Sequence, residues 1–321
     1  MARPPAFAVA GCFAMSLAGA PDAGAQAAYP VPNVTLVTHS SPGGGSDVFL
    51  RTLAKHLAPK MGVSFAIENV TGGSGARAVA RVAQAPADGS MLYATTPTYI
   101  QTTLLSKPQY GYDGLMPVVT VFFDPEVLYT RAQSPHRTLG DAIDFAKKNP
   151  GKARWGAANP ASLERIAMER LNRATQAKAI VVSYEGGRDQ MLNVLNGTLD
   201  LGIGEIQEMV GQIDAGQVRL LATLTASRLP GMPVLPTAKE QGIDVVVTKF
   251  RGLAGPKNLP PGVLKAWSDG IKAVLADPAY QKEYLREGLV PAFMAHEEAA
   301  TFTAAFAGDV ARSLRELGVI K

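Results

Sequence analysis

Residues 33–57 read NVTLVTHSSPGGGSDVFLRTLAKHL, and this stretch decides the fold. Val34, Leu36 and Val37 make a short apolar run, the mark of a buried strand. The run breaks at Ser40-Ser41-Pro42-Gly43-Gly44-Gly45-Ser46-Asp47. Leu50, Leu53, Leu57 and Met61 then recur at helical spacing and define one apolar face. The pattern predicts strand, glycine turn and helix, with Ser46 or Asp47 as the N-cap. A helix start leaves amide N–H groups unpaired and carries the positive end of the macrodipole. Glycines let a ligand approach that backbone closely. The unit suits a carboxylate or phosphate; a tight turn that binds nothing is the competing reading.

The same alternation continues outward. Residues 64–69 read as a second strand, followed by Thr71-Gly72-Gly73-Ser74-Gly75 and a helix from Ala76 to Ala85. Residues 90–95 read as a third strand, ending in a turn at Thr95-Thr96-Pro97-Thr98-Tyr99. This order predicts a parallel, doubly wound sheet with ligand at the carboxyl ends of its strands. A second α/β set follows over roughly residues 118–225, with its own turns at Asn159-Pro160-Ala161-Ser162 and Tyr184-Glu185-Gly186-Gly187-Arg188. It predicts a second lobe. Beyond Lys249-Phe250-Arg251-Gly252 the spacing turns helical. Leu264, Trp267, Ile271, Val274 and Leu275 line one helix, and Phe302, Phe306, Val310 and Leu314 another, as core stripes.

Composition narrows the function. The 321 residues allow about two domains, and 47% hydrophobic content supplies a sizeable core. The net charge of +4 comes without a Lys/Arg run dense enough for nucleic acid. Arg3, an apolar stretch over 6–20 and Ala25-Gln26-Ala27 predict a secretory signal peptide over 1–27, with the chain exported to the periplasm. Val9-Ala10-Gly11-Cys12 offers a lipoprotein alternative. Cys12 is the only cysteine, so the mature chain is expected to hold no disulfide, no Cys-ligated metal and no Cys nucleophile.

Catalytic motifs are weak. Gly73-x-Gly75-x-x-Ala78 imitates a dinucleotide fingerprint, but Thr95 and Thr96 stand where its acidic residue belongs. None of the four histidines, His39, His56, His136 and His296, has metal-site spacing. His39 lies beside the first glycine loop, either as a base or as a structural hydrogen-bonding residue. No enzyme, cofactor or metal is expected.

Several longer stretches carry a resemblance: PGGGSDVFLR from Pro42, ENVTGGSGARAVARVAQAPADG from Glu68, VVSYEGGRDQML from Val181, NGTLDLGIGE from Asn196, AGQVRLLATLTASRLPGMPVLPTAKEQG from Ala215 and FRGLAGPKNLPPGV from Phe250. Together they resemble the Bug or TctC-like extracytoplasmic solute receptors of tripartite tricarboxylate transporters, over nearly the whole mature chain. The resemblance implies a type II-like, two-lobed periplasmic binding protein fold, each lobe a doubly wound sheet, with the ligand cleft between them. Lobe 1 would span 28–127 and be completed by 249–321; lobe 2 would span 128–248. It implies a monomer that captures a small di-, tri- or aromatic carboxylate and hands it to membrane transporter subunits. Presentation to a signalling partner and a Rossmann-like enzyme are the alternatives. The implied contacts are Ser40, Pro42, Gly43 and Gly44 in the first loop, Thr95 and Thr96 at the third strand, and Asn159, Ser162, Tyr184 and Gly187 in the second lobe. The chain departs from the family at Ser40-Ser41-Pro42, where Phe-Pro-Ala is common, and at Phe250-Arg251-Gly252, where Trp-Tyr-Gly is common. Arg251 is either a fork for a ligand carboxylate or a surface ion-pair partner, and Arg188 has the same standing. Glu205 would repel an anion unless it meets a ligand hydroxyl or an arginine.

Overall fold

The computed structural model describes residues 1–2, 29–316 and 319–321. Residues 3–27 of the expected signal peptide, Cys12 among them, lie outside the described residues.

Strand β1 (Asn33–Thr38) leads into helix α1 (Gly45–Met61), and β2 (Ser64–Asn69) into α2 (Ala76–Ala83). Then come β3 (Met91–Thr95), α3 (Pro97–Ser106) and β4 (Met116–Phe123). The next set is β5 (Glu126–Arg131), α4 (Leu139–Lys148), β6 (Arg154–Ala157), α5 (Leu163–Thr175), β7 (Ile180–Ser183) and α6 (Gly187–Leu195). It continues with β8 (Gly202–Glu205), α7 (Ile206–Asp214) and β9 (Val218–Thr223). The chain ends with β10 (Phe250–Gly255), α8 (Pro261–Leu275), α9 (Pro278–Arg286), β11 (Val290–Met294) and α10 (His296–Glu316).

The first sheet has six strands in the order β11-β4-β10-β3-β1-β2. β1 pairs parallel with β2 and β3, as the β-α-β-α-β order predicts. β10 runs antiparallel to both β3 and β4, so the sheet is mixed. The reason is connectivity: β4 leaves this sheet for the other lobe and β10 returns from it, so the two run in opposite directions. The second lobe is built on β8-β5-β9 and the parallel pair β6-β7, joined by a bridge between Trp155 and Leu201.

Val34, Leu36 and Val37 of β1 are buried on both faces of the strand, as expected for a parallel strand. Val34 and Leu36 pack into one cluster with Leu50, Leu53 and Leu57 of α1 and Trp267, Ile271 and Val274 of α8. Val37 packs on the opposite face with Val79, Val82 and Tyr93. The predicted stripe on α8 is therefore core. The stripe on α10 stacks Phe302 and Phe306 edge-on against Phe250 of β10, with ring centroids 5.2 Å apart in both pairs. A separate core holds the second lobe, with Leu128, Trp155, Leu171, Ile203 and Leu221.

Two expectations fail locally. The turn predicted at 95–99 is instead the start of α3, with Pro97 at its first turn and the Thr96 side chain accepting from Thr98 N–H at 3.2 Å. The N-cap of α1 is Gly44, not Ser46 or Asp47. Asp47 reaches back outside the helix, where its carboxylate accepts from Gly43 N–H at 2.9 Å and pairs with Arg51.

The two connections between lobes run side by side. Asp124 N–H donates to the Lys249 carbonyl at 3.0 Å just beyond β4 and just before β10. Between Arg251 and Gly252 the pairing with β4 slips by one residue, a bulge. The extra residue is Val121 of β4, and Arg251 pairs with Phe122 next to it.

Candidate functional site

The lobes face each other across a cavity of about 20 Å3, room for roughly one water molecule. Five helices begin at its wall. They contribute Gly45 and Ser46 of α1, Thr96 and Thr98 at the start of α3, Glu164 of α5, Gly186 and Gly187 at the start of α6, and Glu205 and Glu208 at the start of α7. Each start presents unpaired amides and a positive dipole end. The hinge supplies Lys249 and Arg251.

Arg251 is wholly buried. Its guanidinium donates from Nε to Asp124 Oδ2 at 2.6 Å, from Nη1 to Ser46 Oγ at 2.6 Å and from Nη2 to Glu205 Oε1 at 2.5 Å. One side chain thus ties the hinge, the start of α1 and the start of α7. The surface reading of Arg251 is overturned, because both its expected solvent face and its fork are taken up by protein groups. Burial opposes the guanidinium charge, but Asp124 and Glu205 outweigh that and hold the charge in place.

Lys249 is buried as well, and its ammonium sits among three carboxylates. Nζ lies 2.8 Å from Glu126 Oε1 and also bonds Glu164 and Glu205. Glu126, Glu164 and Glu205 have the spacing of a metal cage, but the lysine ammonium fills its centre. Burial alone would raise all these carboxyls. For Glu205 the charges of Lys249 and Arg251 win, and its carboxyl falls well below the usual range. For Asp124 burial wins, and its carboxyl rises to about 6. Glu126 rises further for the same reason, despite Lys249. Glu126 Oε2, Glu164 Oε2 and Asp124 Oδ1 have no hydrogen-bond partner.

Glu208 crosses from the second lobe to the first. Its Oε1 accepts from Gly45 N–H at 2.5 Å. Burial and the adjacent Glu205 charge hold its carboxyl well above the usual carboxylate range. The amide at the start of α1 is therefore already holding a carboxyl group.

The sequence-derived residues divide. Ser40, Thr96, Asn159, Gly187 and Arg251 line the cavity. Gly43 and Gly44 lie just outside, with their amides engaged by Asp47 and by the Ser41 carbonyl. Gly43 has φ +84, which is why glycine stands there. Pro42 is exposed. Thr95 is buried at the end of β3, and Ser162 caps α5 by accepting from Arg165 N–H at 3.1 Å. Tyr184 faces a separate surface groove with Pro160 and Asp189. Arg188 is exposed, and its side chain passes beside Gly43. His39 is buried, with Nδ1 2.9 Å from Tyr93 Oη, and burial together with Arg251 and Lys249 lowers it to about 4. It makes the structural hydrogen bond expected of it and also lines the cavity. A Cβ at Gly75 would press on His39 and the Tyr93 hydroxyl, so the dinucleotide-like loop is packed, not open. Sequence reasoning missed Gly45, Glu208, Lys249 and Asp124 and left Glu205 undecided.

Comparison with known proteins fits this geometry. Residues 49–318 match the model of the tripartite tricarboxylate transporter family receptor. The chain belongs to that receptor family. Among related sequences, the receptor is 27% identical over 273 residues to a UPF0065 protein of Agrobacterium vitis, covering 83% of this chain and 78% of that one. Among solved structures, it resembles the periplasmic binding protein BugD with a TM-score of 0.85 and 25% identity, covering 91% of the receptor and all of BugD. An R. palustris protein solved with adipate gives the same TM-score and identity, covering 91% of the receptor and 99% of that chain. The two-lobed periplasmic binding protein fold is thereby established. No helix among the described residues is long and apolar enough to cross a membrane.

Proposed function

We propose that this receptor captures a small carboxylate between its lobes and delivers it to membrane transporter subunits, acting as a monomer in the periplasm and without catalysis. The observation that carries this reading is the Gly45 amide. It opens a 17-residue helix, faces the interlobe cavity and holds a carboxyl group, that of Glu208. A helix start that binds one carboxylate has the chemistry to bind another. Four further helix starts at the same cavity strengthen the positive field. The adipate bound by the R. palustris relative supports the same ligand class. The proposed contacts are Ser40, Gly45, Ser46, Thr96, Thr98, Asn159 and the Gly187 loop.

A cavity with room for roughly one water admits no solute, so binding requires the lobes to open about the paired connections at Asp124 and Lys249 and close again. A thermal-shift screen of mono-, di- and tricarboxylates against nucleotides tests the reading, since a ligand stabilises by mass action. Stabilisation by a carboxylate alone supports it. Stabilisation by nucleotides alone overturns it. Capture of transporter membrane subunits by the liganded receptor, and not by the empty one, tests the partnership.

A further inference from the structure

Gly45 and Glu208 stand 163 residues apart, in different lobes, and meet at the wall of the cavity. The space around the Glu208 carboxyl is shaped for it. A Cβ on Gly187 would overlap both its oxygens, and a Cβ on Gly204 would lie 3.1 Å from Oε2. Gly187 has no need of glycine on backbone grounds, since its φ is not positive. The side chain that its missing Cβ makes room for is Glu208. What remains of the cleft is about 20 Å3, room for roughly one water. A solute carboxylate and the Glu208 carboxyl cannot share the Gly45 amide.

We propose that Glu208 is a tethered stand-in for the solute: its carboxyl occupies the carboxylate position at the start of α1, holds the lobes closed while no solute is bound, and is expelled when a solute takes that position. The proposal rests on the carboxylate-receptor reading above. The receptor then meets solute as a competition between an internal carboxyl and an external one. Glu208 weakens every carboxylate by the cost of its own displacement, and only a solute with further contacts to both lobes overcomes it. Arg251 and Glu205 remain in place through the exchange, because their bonds run to the hinge and to each other.

Small-angle X-ray scattering on the solute-free receptor, with calorimetry on adipate and its shorter and longer linear homologues, tests this. Glu208→Ala is expected to be more expanded than wild type without solute. It is also expected to bind the best dicarboxylate of the series about tenfold more tightly. Glu208→Gln keeps an acceptor for Gly45 N–H and is expected to stay compact. Gly187→Ala leaves Glu208 in place but pushes its carboxyl off the amide, and is expected to expand as well. It keeps the test alive if Glu208→Ala does not fold. A folded Glu208→Ala with the wild-type scattering profile overturns the proposal. Weaker dicarboxylate binding by that variant also overturns it, since Glu208 would then be a contact of the solute. Expansion with no carboxylate bound by either protein overturns the carboxylate reading and the stand-in with it, leaving Glu208 as a latch between lobes.

Discussion

Asp124 and Lys249 meet on the two connections that join the lobes, just beyond β4 and just before β10, with the Asp124 N–H on the Lys249 carbonyl at 3.0 Å. Each also carries a buried charge, Asp124 toward Arg251 and Lys249 toward Glu126. The hinge is thus both a backbone ladder and the root of the ion network that reaches the cleft.

Removing Lys249 should be costly. In Lys249→Met the carboxyls of Glu126, Glu164 and Glu205 lose their shared counter-ion. Breaking a buried pair from one side costs about 3–5 kcal/mol. Urea unfolding should show a loss of that size, and adding Glu126→Gln should recover part of it. An unchanged midpoint in the single variant would mean the network is dispensable.

Gly45→Ala should abolish solute binding, by at least about a hundredfold, or roughly 2.7 kcal/mol, while the fold survives. The added Cβ would lie 2.5 Å from Arg251 Nη2 and 2.9 Å from Glu205 Oε1. Gly44→Ala should do less, since its Cβ meets only Ser40 and the Ser41 carbonyl at 3.1–3.2 Å. Calorimetry on both variants ranks them, and equal losses would take the amide at Gly45 out of the site.

Glu287 gives a pH-dependent prediction. Burial first, then the Asp124 and Glu283 charges, raise its carboxyl to about 7, against opposition from Thr52 and Arg286. The unfolded chain loses this proton near 4.5, so between roughly 4.5 and 7 the native state binds more protons. The contribution to stability is fully present below 4.5 and lost as pH rises through 7. Glu287→Gln should therefore stabilise the protein at pH 8, by about 1–2 kcal/mol after discounting for its partial exposure, and change little at pH 4. Denaturant midpoints at the two pH values check this. Equal effects at both would point to packing.

Tyr93→Phe should cost about 1–3 kcal/mol, the penalty for an unsatisfied buried polar group, because His39 Nδ1 loses its 2.9 Å partner. Carboxylate affinity should stay within about threefold of wild type. A large loss of affinity at unchanged stability would move His39 from scaffold to contact.

The parts of the site that could be read in sequence were local. The β1–loop–α1 unit declares itself through one apolar run, one glycine cluster and one helical stripe, all within residues 33–57. Helix α3 escaped because Thr95-Thr96-Pro97-Thr98 also spells a turn. It is buried around most of its first turns, from Pro97 to Thr102, so no polar face marks its period. Proline after a threonine cap was the available signal. The cleft chemistry was hidden for another reason. Glu208 acquires its meaning from Gly45 163 positions away, Lys249 from Glu126 at 123, and Arg251 from Asp124 at 127. Arg251 stood out as a departure from its family, but nothing near it in the chain announces that its fork is filled by the protein's own carboxyls. The bulge beside it is likewise a property of two strands, not one.

The five helix starts have a consequence for valence. Each is worth roughly half an elementary charge, and with Lys249 and Arg251 they face the carboxyl groups of Asp124, Glu126, Glu164, Glu205 and Glu208. Glu126 and Glu208 are held well above the usual carboxylate range, so the ionised carboxylates do not fully offset the positive side. A solute carboxylate that takes the place of the Glu208 carboxyl brings negative charge into that positive surplus, whereas a fully ionised trianion would bring more than the surplus offsets. On the proposed carboxylate reading, protonation of the solute, as much as its length, then sets how well an acid fits the site.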